Sequence, residues 1–293
     1  MRRSVPLPAS ALAVTAMLSV QLGSALSVDL IATVGAAGTA WLRLTAGAVI
    51  FLLLVRPPLH LIRRRDVPVL VGLGVATGLM SIAFLAAIER IPLGTAVAIE
   101  FLGPLTVAAV RSDNRRALAW PSLALVGVIL LTEPWMGSVD ALGVMFAVLA
   151  GACWAGYIVL TKQVGDRFTG IDALSMTIPI AAITAAVVGV PQAAGHLSWQ
   201  ILLIGVGLAF LLPVVPFALE MLALRRMSPT AFGTLMAVEP AIGVVIGLIV
   251  LQQSPGLFQA VGILLVVTAG AAAQRRTAQP VISPADTGFR ATG

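Results

Sequence analysis

The chain has 293 residues, of which 59% are apolar and only 10% charged, with a mean hydropathy of +1.04. So little charge cannot cover the surface of a soluble domain of this length, which excludes the soluble enzyme and binding-module classes. The formal net charge of +6 and the pI of about 11.2 come from basic residues gathered in short loops. They form no continuous stripe, which argues against a nucleic-acid partner.

Apolar runs of roughly 18 to 22 residues recur along the chain, each long enough to cross about 30 Å of hydrocarbon as a helix. The short alternating segments of a membrane barrel are not visible. The sequence therefore predicts an all-α polytopic membrane protein lodged in the lipid bilayer. Ten transmembrane helices are expected at about 9–30, 36–55, 67–88, 92–110, 117–133, 141–161, 173–190, 199–221, 229–250 and 257–273. Arg2 and Arg3 precede the first run, and Ala25-Leu26-Ser27 loosely resembles a signal-peptidase site. The run is read as the first span, because removing it would spoil the repeat described below. Pro, Gly or charge punctuates the connections, as at Arg56-Pro57-Pro58, Glu133-Pro134-Trp135 and Ser254-Pro255-Gly256. In the sixth span, Gly143, Ala147, Gly151 and Ala155 form a small-residue strip suited to helix packing. The segment 274–293 is polar and aperiodic, and is expected to be a disordered cytoplasmic tail.

Orientation follows from the basic residues. With the N-terminus in the cytoplasm, Arg2, Arg3, Arg56, Arg63, Arg64, Arg65, Arg111, Arg115, Arg116, Lys162, Arg167, Arg225, Arg226, Arg275, Arg276 and Arg290 all fall inside. Arg90 alone falls outside and Arg43 lies within a span. The positive-inside rule thus places both termini in the cytoplasm.

A repeat relates the two halves. "GTAVAIE" (94–100) and "GTLMAVE" (233–239) match at Gly94/Gly233, Thr95/Thr234, Ala98/Ala237 and Glu100/Glu239. Each copy lies in the fourth span of a five-span half, 9–133 and 141–273. Five is odd, so the second half enters the membrane upside down. Inverted 5+5 repeats of this kind characterise secondary transporters, with the substrate site near the midplane between the halves.

Glu100 lies about 12 Å below the outer start of its helix, and Glu239 about 15 Å from the cytoplasmic side, counting 1.5 Å per residue. Both carboxylates are therefore near mid-depth, where a charge costs about 2.5–3.5 kcal/mol unless it faces protein or water. Pro104 and Pro240 each remove a backbone donor beside these acids, freeing the carbonyls of Glu100 and Met236. Arg43 is a third membrane charge. It is a candidate partner for Glu100 or for an anionic substrate group; a structural ion pair and snorkelling to the outer headgroups are the alternatives. The two glutamates likewise have a structural alternative to a transport role. Gln21, Trp41, Thr95, Trp154, Tyr157, Thr234 and Met236 are candidates for the cavity wall. Glu220, at the inner end of the eighth span, and Asp29 are read as interfacial. The single cysteine, Cys153, cannot form an intramolecular disulfide, and His60 and His196 lie in separate loops. HExxH, CxxC, Walker-type and GxSxG patterns are absent, so no metal, cofactor or catalytic residues are expected.

The stretches "PFALEMLALRRMSPTAFGTLMAVEPAIGVVIG" (216–247), "PLGTAVAIEFLGPLTVA" (92–108) and "GACWAGYIVL" (151–160) resemble the EamA branch of the drug/metabolite transporter superfamily. Within it they are most similar to bacterial inner-membrane threonine/homoserine exporters. The resemblance spans nearly the whole chain apart from the tail. It implies a ten-helix inverted repeat in the plasma membrane and efflux of small amino acids driven by proton entry. Many members of that family carry Gly-Glu at the end of the ninth span, where this chain has Gln252-Gln253. Other cargo on the same fold (cysteine metabolites, aromatic amino acids, nucleosides or drugs) is the alternative. A membrane enzyme acting on lipid fits less well, because the loops are short and basic and the deep acids are related by the repeat. The sequence leaves the oligomeric state open.

Overall fold

The structure, a computed structural model, describes residues 8–55, 62–111, 118–136, 140–164 and 171–276. Arg2, Arg3, Arg56, His60, Arg115, Arg116, Arg167, Arg290 and the tail beyond 276 lie outside these ranges. Among the described residues every regular element is helical: α1 (Ala9–Leu54), α2 (Val67–Ile88), α3 (Leu93–Val110), α4 (Ala119–Thr132), α5 (Ala141–Val164), α6 (Ile171–Ala193), α7 (Trp199–Ala209), α8 (Val215–Leu224), α9 (Pro229–Met236), α10 (Glu239–Val250) and α11 (Leu257–Arg276). Eight helical segments are long and apolar enough to cross a membrane, and Leu257–Ala273 is a shorter apolar helix. The last helix runs through Arg276, so residues 274–276, expected in the tail, are helical.

α1 covers two expected spans in 46 residues. Straight, it would be about 69 Å long, more than twice the hydrocarbon thickness. It is interrupted at Gly35, whose φ of 74° and ψ of 167° suit a residue without a Cβ. The two halves pack back on each other's neighbours. Gly23 lies against Leu211 and Leu212, and Gly47 against Pro213, although the two glycines flank Gly35 at equal distance in the chain. The backbone amides of Ala37 and Gly38, orphaned at the start of the second half, donate to Gln192 Oε1 at 2.8 and 3.0 Å. A side chain at Gly35 would run into that same amide.

Two further helices are broken. Between α7 and α8 a π-type turn, Phe210–Val214, contains Leu212 in an extended conformation (φ −159°, ψ 112°), followed by Pro213. The Leu211 carbonyl at this break accepts from Ser19 Oγ at 2.8 Å. Between α9 and α10 the helix stops at Met236 and restarts at Glu239. α3 differs: it stays helical through Pro104. The Glu100 carbonyl that Pro104 leaves free faces α5, where a Cβ on Gly151 would come within 2.8 Å of it. With glycine there, the Cα–H points at the carbonyl as a weak donor. Gly103 in turn packs on the Gly151 carbonyl. Thus the small-residue strip of the sixth span is the surface that lets α3 approach α5. A comparable contact joins α4 to α11, where Gly127 and Gly262 each face the other's carbonyl.

Polar bonds join the first and second halves of the chain at one end of the bundle. Arg90 Nη1 meets Asp140 Oδ2 at 3.2 Å, Leu93 N–H donates to Gln253 Oε1 at 3.0 Å, and Gln259 Nε2 donates to Glu133 Oε2 at 3.1 Å. Trp135 stacks edge-on against Phe258 beside them, with ring centroids 5.7 Å apart. The Asp140 carboxyl is held below the usual aspartate range, chiefly by the backbone N–H of Gly143 and also by Arg90. A depressed carboxylate contributes fully above its unfolded value, so this clasp is intact at neutral pH and weakens only as acid carries the pH through the lowered value. Elsewhere the packing is apolar, with Leu12, Ala13 and Met17 against Ala223 and Ile242, and Leu70 against Met176.

Gln192→Leu should unseat both amides at Gly35. The expected loss is about 1–3 kcal/mol, read as a lower unfolding temperature of the purified protein in detergent. Gly151→Val should also lower it, by forcing α3 off α5; unchanged unfolding would contradict the close contact.

Candidate functional site

A cavity of about 370 Å³ lies among the helices and is walled by both halves of the chain. α1 contributes Gln21, Ser24 and Arg43; α2 contributes Thr77 and Ser81; α3 contributes Glu100. From the second half come Trp154 and Tyr157 of α5, Glu220 of α8, Met236 of α9 and Glu239 of α10. Of the residues singled out in the sequence, Glu100, Glu239, Arg43, Gln21, Trp154, Tyr157 and Met236 share this wall.

The local fold explains the positions of the charged groups. Glu239 is the first residue of α10, so its carboxylate sits at the positive end of a helix dipole created by the break. Pro240 falls in the first turn, where its missing N–H has no intrahelical acceptor to lose. The carbonyl of Met236 is therefore released by ending α9, not by a proline inside a continuous helix. Gln21 reaches across from α1, and its Nε2 donates to Glu239 Oε1 at 3.2 Å. Glu239 is 7% exposed and Gln21 is fully buried.

Several buried polar atoms keep free valences. Gln21 Oε1 and Glu239 Oε2 are acceptors without a donor, and Arg43 Nε and Nη1 are donors without an acceptor. Arg43 is itself 3% exposed. It shares the cavity wall with Glu100, Glu220 and Glu239. An unpaired buried polar group is costly, so two free acceptors and free guanidinium donors in one pocket call for partners of both signs, from water or a ligand. Among the described residues no group of three or more His, Cys, Asp or Glu is disposed to hold a metal ion.

Three sequence candidates lie off this wall. Trp41 packs against Gly189 of α6. It is two residues from Arg43, about 200° around the helix, so the two cannot share a face. Thr95 lines a separate small recess with Pro92, Val244 and Gln253. Thr234 lies on α9, beyond the break that aims Glu239 inward. Conversely Glu220, read from the sequence as interfacial, lines the cavity. The signal for it was present in Pro213, Pro216, Phe217 and Glu220, spaced three or four apart on one helical face.

The sequence pattern of the EamA-like transporter family matches residues 141–272. The threonine/homoserine exporter RhtA of Salmonella typhimurium is 36% identical over 258 residues, covering 87% of this chain and 87% of its own length. This chain belongs to the EamA-like transporter family. RhtA of Escherichia coli K12 is similar to the same degree, 36% over 261 residues, with 87% and 88% covered. A protein of known crystal structure, 18% identical, superposes with a TM-score of 0.60 over 92% of this chain and 99% of its own, and shares the fold. As a member of this family the chain is a multi-pass inner-membrane transporter of the exporter kind.

In a Cys153→Ala background, Ser81→Cys and Met236→Cys should react with a small water-soluble thiol reagent in detergent. Ala40→Cys, fully buried and away from the cavity, should react about tenfold more slowly or worse, since reactivity follows exposure. Equal rates at all three positions would contradict the placement of the cavity.

Proposed function

We propose that the protein exports small neutral amino acids of the threonine/homoserine kind, by proton antiport with alternating access. The observation that carries this reading is the pairing of free valences in one cavity: a guanidinium without an acceptor, and a Gln–carboxylate pair with two acceptors to spare. An α-amino acid is a zwitterion that complements both. Its carboxylate fits Arg43, and its ammonium fits Glu239 Oε2 and Gln21 Oε1. A cavity of about 370 Å³ suits a ligand of that size. The exporters named for threonine and homoserine, at 36% identity, support the same class.

The architecture we infer is ten crossings with both termini cytoplasmic. α1 counts twice because of Gly35, α7–α8 once and α9–α10 once. Residues 9–133 and 141–273 form inverted halves, and 274–293 a cytoplasmic tail. In support, the family match at 141–272 covers one half almost alone. Glu100 and Glu239, in corresponding helices, both reach the cavity. In this orientation the wall extends through Tyr157, Leu174 and Glu220 toward the cytoplasm, while the clasp of Arg90–Asp140, Gln253–Leu93 and Gln259–Glu133 holds the outer end. Rocking of the halves would open that clasp. A proton entering from outside neutralises a mid-depth carboxylate and releases the ammonium it held.

The test is threonine and homoserine efflux from cells expressing wild type, Glu239→Gln and Glu100→Gln at matched levels. Loss of a charge-assisted contact of about 1.5–3 kcal/mol should slow efflux about ten- to a hundred-fold in Glu239→Gln. The residual efflux of Glu239→Gln should also lose its dependence on external pH, and Glu100→Gln, which removes a second acid from the cavity wall, should slow efflux too. Normal efflux in both variants would overturn the assigned roles. Efflux of a different metabolite by wild type, with threonine and homoserine unmoved, would overturn the substrate class.

A further inference from the structure

One carboxylate in the cavity has no part in the zwitterion site. Glu220 lies one turn from the end of α8, on the face that presents Pro213, Pro216 and Phe217 to the same cavity. It is only half-buried, and among the described residues no side chain hydrogen-bonds or ion-pairs with it. A structural acid in a membrane protein would be paired, and one facing lipid would be costly. Glu220 does neither; it faces the water-accessible space of the cavity on the side away from the polar clasp.

Tyr157 of α5 and Glu239 of α10 line the same cavity. The other charged groups facing this space are Arg43 of α1 and Glu100 of α3. Glu220 thus shares the cavity with the acid that Gln21 holds, one turn from the end of a helix assigned to the cytoplasmic side.

We propose that Glu220 is the inner proton relay of the transporter, carrying the proton from Glu239 to cytoplasmic water. In the step, the Glu239 carboxylic acid becomes a carboxylate and Glu220 becomes the acid. Glu220 then returns to carboxylate as the proton passes to water or buffer, so no other reactant is required. Transfer runs through water filling the cavity, and it leaves Glu239 charged and ready for the next ammonium. This inference rests on the antiport reading above.

The purified full-length protein in liposomes separates the two ideas, with radiolabelled threonine as the probe. Threonine counterflow exchanges substrate without net proton movement; transport driven by a pH gradient requires proton release on every cycle. For Glu220→Gln the ratio of gradient-driven to counterflow rate should fall at least about tenfold, as expected when a positioned proton-transfer group is lost. A pH-sensitive dye inside the vesicles should report a proton flux reduced in parallel. Glu220→Asp should restore most of the ratio. Equal loss of both rates in Glu220→Gln, or no loss in either, would overturn the relay. Wild-type threonine transport that an imposed pH gradient does not drive would instead overturn antiport itself, and the relay with it, and would be seen before any variant is made.

Discussion

A charge in hydrocarbon must meet protein or water, and that constraint organises this molecule. Arg43, Glu100, Glu220 and Glu239 come from four different helices, separated by up to nearly two hundred residues in the chain. Leaving each in lipid would cost a few kcal/mol, so the bundle is stable only in arrangements that turn all of them toward one interior space. Their convergence positions the remaining wall residues, including Gln21 and the hydroxyls of Ser24, Thr77 and Ser81. The functional cavity and the folding requirement are here the same feature.

The backbone obeys the same rule. Each interruption frees donors or acceptors that hydrocarbon would not satisfy, and at three of them a partner is at hand. Gln192 takes the amides after Gly35, Ser19 takes the Leu211 carbonyl, and Gly151 lies against the carbonyl released by Pro104. Two of the breaks, at 210–214 and 237–238, border the cavity. Broken helices have fewer internal bonds to lose when they bend, so the segments that border the cavity are also those best able to move.

Much of this was legible in the sequence, for identifiable reasons. Membrane insertion follows from composition, and the deep acids stand out because nothing else in their spans is charged. Glu100 and Glu239 were both singled out by the heptapeptide match, and both line the cavity. What escaped was local geometry. Thr95 and Thr234 were attractive because the repeat includes them, yet each lies five residues from its glutamate, well round the helix or beyond a break. Trp41, an aromatic candidate for the wall, lies two residues from Arg43 and so on the opposite face of the helix. Glu220 reads as interfacial from its place at the inner end of the eighth span, yet it lines the cavity. A π-type turn with an extended Leu212 changes where the following residues point, and nothing in the residue identities states that turn beyond the presence of Pro213 and Pro216.

The central claim is that one cavity, bounded by both halves, exchanges a small zwitterion for a proton. It is tested most directly with wild-type protein reconstituted in liposomes and offered a mixed panel of amino acids, with and without an imposed pH gradient. The account predicts that threonine and homoserine move faster than aromatic, acidic and basic amino acids, and that the gradient drives their accumulation. Transport of none of the panel, or transport indifferent to the gradient, would contradict it.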